Sequence, residues 1–113
     1  MRAIDHTSGR VLAGTVSVAE SFLARLKGLL GRDRLPPGQA LWIKPCNSVH
    51  TFGMKFPIDV AFLDREQRVV ALVTTLAPNR ISGYHPTASS VLELPAGTLD
   101  LTATVVGNKI EIA

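Results

Sequence analysis

A single cysteine in 113 residues excludes an internal disulfide, and with it the small secreted scaffolds that rely on several. Aromatic residues are scarce at 5%, and no stacking motif interleaves them with basic ones, which argues against a nucleic-acid surface. No apolar run approaches the roughly 20 residues that a bilayer crossing needs. The opening MRAIDHTSGR has no apolar stretch of the secretory kind, so the cytoplasm is the expected compartment. Walker loops, dinucleotide glycine fingerprints, HExxH, paired CxxC and GxSxG are all missing. The commonest enzyme classes therefore lose support while no rarer one is excluded, and the reading leans away from catalysis.

What is present is the composition of a folded domain: 46% hydrophobic and 19% charged residues. The length suits one domain over 1–113, with 1–9 as a flexible or edge segment. The net charge of +3 is unevenly spread. Residues 1–55 carry eight Lys and Arg against three Asp and Glu, and residues 56–113 carry four against six. Much of the excess falls in ARLKGLLGRDR, where Arg25, Lys27, Arg32 and Arg34 cluster. A solvated helix face accounts for such a cluster, and a contact for an acidic partner is its functional alternative.

The hydrophobic period changes along the chain. GRVLAGTVSVA is β-branched and alternates loosely, as a strand or hairpin does. In ESFLARLKGLLGR, Phe22, Leu26, Leu29 and Leu30 recur at helical spacing, with Ser21 as N-cap. Gly31 suits the helix end, while Gly28 marks either close packing or a break. After the turn LPPGQ come the strand-like runs ALWIK, SVHTFGM, IDVAFLD, RVVALVTT, SSVLELP and KIEIA, with DREQR as a hairpin connection. The expected fold is α+β and β-rich, a curved sheet or small barrel of six to seven short strands with one main helix packed against it.

The stretch CNSVHTFGM holds the chemically mixed residues. Cys46, His50 and Met54 share the ligand types of blue-copper sites, with His6 or His85 as the further histidine. On a straight strand, however, Cys46 and His50 stand about 13 Å apart, too far to share a copper or zinc ion or to act as nucleophile and base. A face mixing thiol, imidazole, phenyl and thioether suits the wall of a small-ligand pocket instead. Two acids interrupt apolar strands, Asp59 in PIDVAFLD and Glu93 in VLELP. Each needs a hydrogen-bond partner or its pKa rises, and each is either a register-fixing acid or a site acid. The turn LPAGT offers backbone N–H groups that suit an anion.

GLLGRDRL, GQALWIKPCNSVHTFGMKFPIDVAFLD and VLELPAGT, in this order, resemble the bacterial and archaeal family of domain of unknown function 192, over about residues 15–113. The resemblance implies a compact β-rich domain with one main helix, and it implies no reaction. The family's signature falls here on Gly28, Leu29, Phe52, Met54, Pro57, Asp59, Phe62, Leu63, Asp64, Leu92, Glu93, Leu94, Pro95, Gly97 and Thr98. Where the family often ends in a Gly-Asp turn, this chain has Gly107-Asn108. Many relatives carry an N-terminal export or membrane segment, which this sequence does not show.

The resulting expectation is a non-catalytic module for a small molecule or a protein segment, with a pocket at residues 46–59. His50, Phe52, Met54 and Lys55 line it, and Asp59 and Glu93 support or enter it. The alternatives are a metal protein using Cys46 and His50, and an interaction module using the basic helix patch. Outside the metal alternative, no cofactor is expected.

Overall fold

A computed structural model describes all residues, 1–113. Eight strands and two short helices follow in chain order. They are β1 (Ala3–Asp5), β2 (Val11–Ala13), β3 (Thr15–Ala19), α1 (Phe22–Lys27), β4 (Gln39–Ile43), β5 (Ile58–Leu63), β6 (Val69–Leu76), β7 (Ser90–Pro95), α2 (Thr98–Leu101) and β8 (Ile110–Ile112). They form a five-stranded sheet, β3-β4-β7-β5-β6, and a three-stranded sheet, β2-β1-β8, neither closed into a barrel. Neither helix is long and apolar enough to cross a membrane.

β5 and β7 are the centre of the large sheet and are buried almost throughout, because both faces are covered. The pleat sorts their side chains into two cores. Ala61, Leu63, Leu92 and Leu94 face the small sheet, with Ala3, Leu99 and Ile110. Ile58, Val60, Phe62 and Val91 face the other way, against Leu29, Val49 and Met54. The β5–β6 hairpin turns at Asp64, whose Oδ1 accepts from the Glu66 and Arg68 backbone N–H groups. β3 and β4 run parallel, so the chain between them must cross over, and α1 lies in that crossover.

Three expectations need correction. The helix is shorter than its apolar spacing implies: Ser21 caps it through Ala24 N–H at 3.0 Å, but it stops at Lys27 because Gly28 takes φ +47°. Phe22 and Leu23 are therefore 69% and 75% exposed, and the buried leucine is Leu29, beyond the break. Secondly, SVHTFGM is no strand. Its backbone bonds to the 77–85 loop, with Thr51 N–H donating to Arg80 O and His85 N–H to Asn47 O, and only His50 forms a bridge, to Ile81. Gly53, at φ +79°, turns the chain back so that Met54 N–H reaches Thr51 O. Thirdly, residues 1–9 are not an edge: β1 takes the middle of the small sheet, paired with both β2 and β8.

The small sheet is clasped by Asp5, whose buried carboxylate accepts from Thr7 N–H, Ser8 N–H and, at 2.8 Å, Asn108 Nδ2. An aspartate at position 108 sets two buried carboxylates against each other. Asn108→Asp is accordingly expected to cost about 2 kcal/mol at neutral pH, with the loss recovered on acidification, as read by urea unfolding at pH 7 and pH 4.

Candidate functional site

The two acids that looked alike in sequence lie on opposite faces of the large sheet. Asp59 pairs in register with Leu94, and Glu93 with Val60, so their side chains point apart. Asp59 is fully buried and fully used: Oδ1 accepts from Thr75 N–H at 2.8 Å, and Oδ2 from Gly97 and Leu99 N–H at 3.1 and 2.9 Å. The N–H groups around LPAGT thus do hold an anion, and it is the chain's own carboxylate.

Glu93 is also buried, but no protein group bonds its Oε1. It faces a cavity of about 70 Å³ enclosed by the end of α1, the residues after it and the 46–54 loop. Arg25, Gly28, Cys46, Ser48, His50 and Met54 contribute to the lining. Gly28 lies beside the carboxyl: a Cβ there would stand 3.8 Å from Glu93 Oε1, an ordinary van der Waals contact. Burial pushes the Glu93 carboxyl up to about 7. Burial also raises the Cys46 thiol; the Glu93 carboxyl adds to that rise, and the Ser48 backbone and the Arg25 guanidinium oppose it. Cys46 Sγ donates to Ser48 O at 3.1 Å. Arg25 is held by Nη1, which donates to Pro45 O at 3.1 Å, and its buried Nε has no protein partner.

Of the residues expected at a pocket, His50, Met54 and Glu93 meet here, while Asp59 is on the far face. Phe52 is exposed and stacks on His50, with ring centroids 5.5 Å apart, so it belongs to the rim. Lys55 points to solvent, where it pairs with Asp33 at 3.0 Å. The bend in the 46–54 loop brings Cys46, His50 and Met54 to one cavity, which a straight strand forbids. Even so, no three His, Cys, Asp or Glu side chains converge in a metal-holding group. His6 is away on the small sheet, paired with Glu111, and His85 packs on Phe62 at 4.0 Å. The basic cluster is divided: Arg25 and Lys27 line the cavity, Lys27 also lines an open groove with Arg32 beside Gly31, and Arg34 is exposed.

Sequence reasoning did not place Gly28 or Arg25 at the pocket. A glycine breaking the apolar period of a helix was the one available signal for Gly28. Nothing in the sequence distinguishes Arg25 from its basic neighbours.

An open two-sheet β-rich domain with a small acid-floored cavity under a short helix is the class of protein that fold and site define. The model of the domain-of-unknown-function 192 family, described as "Uncharacterized ACR", matches residues 3–112, and the chain belongs to that family. It is 39% identical over 104 residues to a UPF0127 protein of Pyrococcus abyssi, covering 87% of this chain and 86% of that one. A UPF0127 protein of Thermococcus sibiricus is 32% identical over 116 residues, covering 96% of this chain and 72% of that one. A crystal structure of a protein of unknown function from Novosphingobium aromaticivorans shares the fold at TM-score 0.83 and 21% identity, covering 99% of this chain and 84% of that one.

Proposed function

We propose that the protein is a non-catalytic binding domain that takes the polar end of a small molecule, or of a segment of another protein, into the cavity over Glu93. The observation that carries this reading is the contrast between the two buried acids. Asp59 has three N–H donors, as a structural carboxylate requires, whereas Glu93 Oε1 has none. A buried polar atom left unpaired costs about 1–3 kcal/mol, a cost that a binding partner removes. The cavity has room for about two water-sized groups, so only the end of a ligand enters, and its body rests on the rim at His50, Phe52 and Leu26.

The test is an amide-resolved NMR screen with fragments of up to five heavy atoms against wild type, Glu93→Leu and Cys46→Leu. Saturable shifts at residues 28, 46 and 93, at least tenfold weaker in both variants, are the expected outcome. Shifts that persist unchanged in both would place the binding elsewhere.

A further inference from the structure

We infer that the group this cavity takes is a carboxamide, with its carbonyl oxygen accepting from Arg25 Nε–H and its N–H donating to Glu93 Oε1. This rests on the pocket reading above and adds the ligand's chemistry. Two buried side-chain atoms of the cavity's lining residues lack protein partners, and they are of opposite hydrogen-bonding sense, one obligate donor and one acceptor. Arg25 Nη1 is anchored on Pro45 O. The Glu93 carboxyl is fixed at the centre of the large sheet, with Val60 opposite it in register. Arg25, Cys46 and Glu93 line the same cavity. The site therefore presents a preorganised donor and acceptor rather than a field of one sign.

Simpler groups fit less well. A carboxylate satisfies Arg25 but brings a second negative charge to Glu93, and an ammonium satisfies Glu93 while leaving Arg25 Nε–H unpaired beside a like charge. A hydroxyl can bond both atoms, but it is a single atom in a space of about 70 Å³. The planar amide carries one donor and one acceptor on separate atoms and fills more of that volume. Free small amides and a glutamine or asparagine side chain on a peptide share this chemistry.

The experiment is an NMR titration of the whole chain at pH 8 with acetamide, acetate, methylammonium and ethanol, followed by N-acetylglutamine N-methylamide. Acetamide is expected to saturate, with dissociation on the order of 10 mM for so small a probe, and to shift residues 28, 46 and 93. The other three probes are expected at least tenfold weaker. Arg25→Met, which removes the donor, and Glu93→Leu, which removes the acceptor, each weaken acetamide tenfold or more. Glu93→Gln keeps an acceptor oxygen and weakens it less than about threefold, a retention that an ammonium site would not show. Tighter binding of the glutamine derivative than of acetamide assigns the source to a polypeptide; the reverse assigns it to free amides. Preference for acetate or methylammonium would leave the pocket standing and overturn the amide. If no probe saturates while the spectrum remains that of the folded chain, water suffices for both atoms, and the pocket reading falls as well.

Discussion

Asp59→Ala is expected to lower the free energy of unfolding by about 3–5 kcal/mol, among the largest effects of any single substitution in this chain. The reason is what the carboxylate organises. Thr75, a β-branched residue at φ +50°, sits where β6 carries an extra residue relative to β5, between the pairs Ile58 with Leu76 and Val60 with Val73. The bond from Thr75 N–H to Asp59 Oδ1 holds that bulge. The other oxygen collects Gly97 and Leu99 N–H and so sets the entry to α2. Alanine leaves three N–H groups without their acceptor and releases two elements at once. Urea unfolding with an unchanged slope and a lower midpoint is the expected record. A loss under 1 kcal/mol would show that water replaces the carboxylate at little cost.

Glu93 gives the opposite kind of effect, visible in pH rather than in deletion. Its carboxyl is raised from 4.5 to about 7 by burial. Between those values the folded chain keeps a proton that the unfolded chain has released. The contribution to stability is thus complete below about 4.5 and is lost as pH rises, by about 3 kcal/mol in all by pH 8. Glu93→Gln has no proton to lose, so the wild-type slope between pH 5 and pH 8 should disappear in that variant. Equal slopes in the two proteins would mean that the carboxyl is far better solvated than its position implies. Asp5 works at lower pH: burial pushes its carboxyl up, but bonds from Asn108, Ser8 and Thr7 bring it below its ordinary 3.8.

How much of this was legible beforehand depended on whether the cause was local. The β5–β6 hairpin is written in IDVAFLDREQRVVALV, because the turn acid and both flanking runs are neighbours in sequence. Ser21 likewise declares its cap three residues ahead of Ala24. β8 was legible as the strand-like KIEIA, whereas β1, only three residues long, is too short for a period and is defined by its pairing with β2 and β8. The 46–54 loop imitates a strand by alternating side chains, yet its hydrogen-bond partners lie some thirty residues away. Asp59 and Glu93 were each recognisable as an acid in an apolar run. Only the β5–β7 register shows that they face apart, and only the cavity lining shows which of them has open space before it.

The small sheet also bears on how the chain comes together in time. Ala3 pairs with Ile112, so two strands more than a hundred residues apart in sequence share a ladder. Closing so long a loop carries the greatest entropic cost of any pairing in the molecule, and it is favourable only once the large sheet has drawn the two strands near each other. Until β8 pairs with it, β1 has one edge unpaired. Its final docking covers that side of the core, and until then Leu92, Leu94 and Leu99 lack part of their cover.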